Sequence, residues 1–200
     1  MKRKPSNSKK RPVNKVEELC RKGVEKMDRG EYTDAMTCFD LVLGLNAGNN
    51  LANVNKGVCL LEMGKVEESA CHFYSLHQKN PTDLNILKIC GLIHCRMNLY
   101  ETGLKFLASF TDKVPGDYQA WENMSWAANK MGQFVEAVMY ATKALGVDPL
   151  RAEAYNNLGA GLLGIGKIDE AQEVFRTAIA IDPDLVMAIS NMATVAEKSG

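Results

Sequence analysis

Little in this 200-residue chain speaks for chemistry. Its three histidines (His72, His77 and His94) lack an orienting carboxylate in any motif, and its six cysteines include no Cys-x-x-Cys pair. Cys20, Cys38, Cys59, Cys71, Cys90 and Cys95 scatter over the first half of the chain, a usage that fits free thiols in a reducing compartment. Cys90, His94 and Cys95 share one helical stretch, but zinc needs four converging ligands, and the spacing places Cys90 and His94 in a helix-pair interface. Gly159-x-Gly161-x-x-Gly164-x-Gly166 imitates a phosphate loop without the preceding strand such a loop requires. No apolar run approaches the ~18 residues that span a bilayer, and the polar N-terminus lacks the apolar stretch of a signal peptide. Net charge is absent too, with 24 basic against 24 acidic residues. The expectation is a cytoplasmic protein with no membrane insertion, no catalytic residues, no metal and no cofactor.

The zero charge conceals an asymmetry. Residues 1–15 carry seven bases (Lys2, Arg3, Lys4, Lys9, Lys10, Arg11, Lys15) and no acid, leaving 24 − 7 = 17 bases against 24 acids in the remainder. This opening stretch has two prolines, serines and asparagines but almost nothing apolar, so it cannot offset its own ordering entropy and reads as a disordered basic tail. The clusters Lys2-Arg3-Lys4 and Lys9-Lys10-Arg11 resemble a nuclear import signal. By itself the tail would hold nucleic acid only weakly, with a steep salt dependence.

What is present is a period of 34. Gly23, Gly57, Gly91 and Gly159 stand at one mark, with Ser125 in the remaining copy. Ala35, Ser69, Gly103, Ala137 and Ala171 follow twelve residues on, and Phe39, Phe73, Leu107, Ala141 and Phe175 four after that. Pro81, Pro115, Pro149 and Pro183 close four units. The units run 16–49, 50–83, 84–117, 118–151 and 152–185, with a terminal helix at 186–200. Within each, apolar residues recur at three and four, the helical rather than the strand period. The last full unit needs two helices: Ala154, Tyr155, Leu158, Leu162 and Leu163 form one stripe, and Ile168, Ala171, Val174, Phe175, Ala178 and Ile179 another. Gly166 between them suits a left-handed helix end, a place held by Gly30, Gly64, Asn98 and Gly132 in the other units. Small residues at the eighth and twentieth places let the paired helices approach closely.

Tyr155-x-x-Leu158-Gly159-x-x-Leu162, followed by Ala171-x-x-x-Phe175-x-x-Ala178 and Pro183, resembles the tetratricopeptide repeat pattern, with Trp121 supplying its aromatic in the fourth unit. The resemblance extends over residues 16–200. It implies an all-α fold, a right-handed α-solenoid of antiparallel helix pairs, about five units plus a C-terminal helix. First helices would line a concave groove, and the family's usual activity is to bind a peptide or protein partner there.

On that geometry the sixth place of each unit faces the groove, and it holds Arg21, Asn55, Ile89, Asn123, Asn157 and Asn191. A carboxamide both donates and accepts, so regularly stacked amides could read the backbone of an extended peptide. An alternative is that asparagine here is merely a well-solvated repeat residue. Trp126 stands at another groove place as a large rigid anchor, with packing against a neighbouring helix as its competing role. Lys130 lies beside it. The carboxylate clamp of Hsp70- and Hsp90-binding domains is a poor fit: in the first three units its places hold Cys20, Val24, Asn55, Asn85 and Ile89, of which only Asn55 agrees, and without paired cations little holds a carboxylate. The expected function is a non-catalytic scaffold or adaptor holding a protein or peptide partner through Asn55, Asn123, Trp126, Asn157, Asn191 and Lys130. Two other readings stand beside it: the substrate-recruiting N-terminal region of a larger enzyme such as a glycosyltransferase, and a nuclear-targeted factor led by the basic tail.

Overall fold

In a computed structural model of the chain, residues 15–199 are described; the basic tail expected before them, Lys2 to Arg11 included, lies outside the described residues. Those residues form eleven α-helices and, among them, no strand. First helices are α1 (Lys15–Asp28), α3 (Asn50–Glu62), α5 (Leu84–Arg96), α7 (Tyr118–Lys130), α9 (Ala152–Gly164) and α11 (Val186–Ser199). Second helices are α2 (Tyr32–Leu45), α4 (Val66–Lys79), α6 (Tyr100–Thr111), α8 (Phe134–Val147) and α10 (Ile168–Ile181). From α3 onward every first helix begins 34 residues after the one before, and so does every second helix after α2. The sequence period is thus a period of helix pairs.

Local signals explain where the helices begin and end. Asn49, Asp83 and Asp117, each 34 apart, accept from backbone N–H groups of the first turns of α3, α5 and α7. At the fourth such place stands Arg151, which caps nothing and is used otherwise. First helices close with the chain turning left-handed: Gly166 has φ +82°, its N–H donates to Leu163 and the next N–H, from Lys167, reaches Leu162. Asn98 takes the same conformation at φ +61°, the only non-glycine among the described residues to do so. Asp148 and Asp182, each preceding proline, are extended and stop α8 and α10.

Contacts divide the chain into two compact units, with the boundary along the chain between Phe73 and Tyr74, inside α4. In the first unit α1, α2 and α3 pack in sequence around Cys20, Ala35, Phe39, Val42, Ala52 and Cys59. In the second, each helix from α5 to α11 packs on its successor, and the first helices α5, α7, α9 and α11 also touch in turn. The glycine and aromatic marks of the repeat meet in space. A Cβ on Gly159 would lie 2.6 Å from a ring carbon of the fully buried Phe175, and Phe39 and Phe73 cover Gly23 and Gly57 in the same way. Only a bare backbone lets the ring lie flat against the partner helix.

Candidate partner-binding site

The first helices of the second unit hold most of the side chains singled out in the sequence. Trp126 and Lys130 come from α7, Asn157 from α9 and Asn191 from α11, and all four line one depression of ≈ 470 Å³. A smaller hollow of ≈ 120 Å³ adjoins it, sharing Trp126 and Asn157 and adding Asn123, Glu122 and Glu153. Five of the six expected residues therefore converge. The sixth, Asn55, sits half-buried on α3 in the first unit.

Convergence has a simple cause. Places 34 residues apart fall on the same face of successive first helices, and those helices lie side by side. The amides do not all point outward, however. Asn157, only 8% exposed, donates its Nδ2 to the carbonyl of Glu122, 3.3 Å away on the preceding first helix. Asn191 donates to Asn156 Oδ1 at 2.9 Å, again one repeat back, whereas Asn123 donates to Gln119 on its own helix. Asn157 and Asn191 thus stitch adjacent repeats, since an amide is long enough to reach the neighbouring first helix, whereas Asn123 does not. This role is additional to any contact with a partner.

Trp126 serves two sides. It packs edge-to-face on Tyr100, centroids 5.4 Å apart, while Lys130 Nζ lies 5.9 Å over its ring and the half-buried indole lines both hollows. The packing fixes the ring in one orientation, and a rigid aromatic loses little entropy on contact. Beneath it, Asn129 donates to the Asn157 carbonyl at 2.8 Å, while its own Oδ1 is buried without a hydrogen-bond partner. A buried acceptor left open is costly.

Charge is divided across the site. Glu122 and Glu153 flank one end, Lys130 the other. Arg151 holds the acidic end in place, 3.3 Å from Glu122 and 3.2 Å from Glu153, with its guanidinium 4.8 Å from the Tyr118 ring centroid. Burial pushes the Glu122 carboxyl above the usual carboxylate range, and the attraction of Arg151 offsets this only in part. The same Arg151 carries more charge pairing than burial removes, so its guanidinium is held charged. These directions agree once burial is seen to weigh more on the deeper carboxylate.

The sequence missed Asn129, Phe134 and Met187, which also line the larger hollow. Asn129 precedes Lys130 and was legible as a polar residue in an otherwise small, apolar stretch; Phe134 and Met187 carry no signal in their identity. Elsewhere, Cys90 and Cys95 are buried, and apolar surroundings push both thiols up to about 11. His94 turns its Nδ1 to the Cys90 carbonyl at 2.7 Å. Among the described residues no three His, Cys, Asp or Glu side chains gather as a metal site would need, and no helix is long and apolar enough to cross a membrane.

Comparison with known proteins agrees with the paired-helix repeat fold. The tetratricopeptide repeat family models match residues 118–149 and 152–185, the pairs α7–α8 and α9–α10. The chain is 30% identical over 103 residues to protein FlbA of Caulobacter vibrioides, covering 52% of this chain and 17% of FlbA. It is 23% identical over 172 residues to the TPR repeat-containing protein YpiA of Bacillus subtilis, covering 85% of this chain and 40% of YpiA. It thus spans less than half the length of each of these curated relatives. Among solved structures, MamA from Desulfovibrio magneticus superposes with a TM-score of 0.79 at 16% identity, covering 86% of this chain and 98% of that one. A tetratricopeptide repeat protein from Parabacteroides merdae gives 0.80 at 18% identity, covering 93% and 74%.

Proposed function

We propose, from the premise that this chain is a tetratricopeptide repeat protein, that it is a scaffold or adaptor which holds a segment of a partner protein across α7, α9 and α11. The observation that supports this reading is the convergence of Trp126, Lys130, Asn123, Asn157 and Asn191 on adjoining hollows. In it, Trp126 receives an apolar side chain of the partner. Asn129 Oδ1 accepts from a partner N–H, which would relieve its unpaired burial. Lys130 faces an acidic or carbonyl group at one end, and Glu122 with Glu153 a basic group at the other. Asn157 and Asn191 contribute chiefly by fixing the spacing of the first helices, and all three asparagines through whatever amide capacity stays open to the hollow. Asn55, in the first unit, is left out of this site. Binding, without catalysis, is the whole activity in this reading, and six free thiols support a reducing, cytoplasmic setting.

The test is selection of peptides from a random phage-displayed library on the intact protein, followed by fluorescence anisotropy. Peptides that bind the native chain should lose at least tenfold in affinity for Trp126→Ala with Lys130→Glu. These two side chains are half-buried and exposed, so helicity by circular dichroism should stay unchanged. Selected peptides that bind the double variant as tightly as the native chain would remove this site from consideration.

A further inference from the structure

A second hollow in the second unit is larger than the one just described. It is a cleft of ≈ 770 Å³ formed by the last turns of α4, the start of α5 and one face of α6. Its apolar floor comes from Tyr74, His77, Leu84, Leu87 and Phe106. Tyr74 is 47% and Leu84 37% exposed, so this is open surface rather than filled core. His77 and Phe106 meet edge-to-face at 5.2 Å, which fixes the floor. Thr102, Lys105, Phe106 and Ser109 lie at intervals of three and four along α6 and so share a face, with Lys113 just past its end.

Two features of charge set this face apart. The lining contains Lys105 and Lys113 and no carboxylate. Moreover, the place held by Thr102 is acidic in every other unit: Asp34, Glu68, Glu136 and Glu170 occupy it in the first turns of α2, α4, α8 and α10. An acid at that place suits a helix N-terminus, whose backbone dipole favours negative charge. Only α6 gives it up, where it would face into the cleft. Its remaining first-turn acid, Glu101, is one residue away and outside the lining. The lining of the cleft therefore carries positive charge alone.

Spacing identifies the occupant. Lys105 lies six residues before the last residue of α6, about 9 Å along the axis at 1.5 Å per residue, and Lys113 two residues past that end, so the two stand on the order of 12 Å apart along the cleft. A single-headed amphipathic acid would engage one of them. An extended peptide advances about 3.3 Å per residue, so carboxylates four residues apart span the same distance, and the period of two puts the central side chain on the same side. We propose that this cleft docks an extended acidic segment of a partner protein, of the pattern Glu-x-Phe-x-Glu, with its carboxylates on Lys105 and Lys113 and its aromatic ring on the floor between them.

The probe is a fluorescein-labelled peptide, Gly-Glu-Leu-Phe-Leu-Glu-Gly, titrated against the full chain by anisotropy. Saturable binding is expected, weakened at least tenfold in K105E/K113E and at least threefold in T102E, which restores the acid of the other units. All three positions are exposed, so thermal midpoints should not move. Replacing both glutamates of the peptide by lysine, or its phenylalanine by serine, should abolish binding, while W126A/K130E should leave it intact. The proposal is overturned by unchanged affinity in K105E/K113E, by decanoate displacing the probe as well as unlabelled peptide does, or by loss of binding in W126A/K130E.

Discussion

In four of five repeats a glycine on the first helix faces a bulky apolar residue on the second: Gly23 with Phe39, Gly57 with Phe73, Gly91 with Leu107 and Gly159 with Phe175. The fourth repeat changes both members together, to Ser125 and Ala141, each fully buried. Exchange of the last pair for this one tests whether the two places act as a unit. Gly159→Ser alone puts a Cβ 2.6 Å from the Phe175 ring and should cost about 1–3 kcal/mol through overpacking. Phe175→Ala alone empties a fully buried ring site and should cost about 3–5 kcal/mol. Combined, the serine no longer meets a ring and fills part of its space. Its hydroxyl can then donate to the Ala171 carbonyl as Ser125 does to that of Ala137 at 2.8 Å, a bond with a net value of about 1 kcal/mol. The double variant should therefore lose about 1–3 kcal/mol less than the two single losses added. Urea unfolding of all four proteins by circular dichroism measures this, with the m-value showing whether each unfolds in one step. Additivity within about 0.5 kcal/mol would refute the compensation and leave the fourth repeat's pair unexplained.

Three further outcomes are expected. Asn98→Gly should raise stability by several tenths of a kcal/mol, because it removes a left-handed non-glycine residue at φ +61°, whereas Gly166→Ala at φ +82° should lower it by about 1 kcal/mol; thermal unfolding resolves both. Burial raises the native pKa of Glu122, so the native state binds a proton more tightly than the unfolded chain does. Its ionisation therefore opposes folding above the raised native pKa, and the penalty fades as pH falls toward the free carboxylate's ~4.3. The stability difference between the native chain and Glu122→Gln should accordingly shift in favour of the native chain as pH falls through that window, measured by urea unfolding at several pH values. With a disulfide reagent at neutral pH, exposed Cys71 should react first and Cys38 next, whereas Cys90 and Cys95, buried and pushed up to about 11, should react only on unfolding; mass spectrometry of the labelled sites reads the order.

The candidate site was partly legible before any coordinates. Asn123, Trp126, Lys130, Asn157 and Asn191 could be gathered from the sequence because equal spacing in a repeat means equal facing in the fold. Their hydrogen bonds could not. Whether Asn157 donates to a peptide or to the Glu122 carbonyl depends on how closely α7 and α9 approach, and that distance is a property of packing between repeats rather than of either residue. The cleft beside Lys105 was invisible for a related reason. It is made by three helices from two repeats, none of which announces a cavity, although the missing acid at Thr102 was in plain view.

From its sequence alone this chain is a series of paired helices, because a 34-residue period of glycine, alanine, aromatic and proline marks is local information: each mark acts on its own turn, cap or nearest neighbour. The helices begin and end where those marks stand. Tertiary packing alone decided which polar side chains remain available and which are consumed between repeats, as Asn191 is by Asn156. That choice rests on how closely surfaces far apart along the chain approach one another, and no residue type records such a separation.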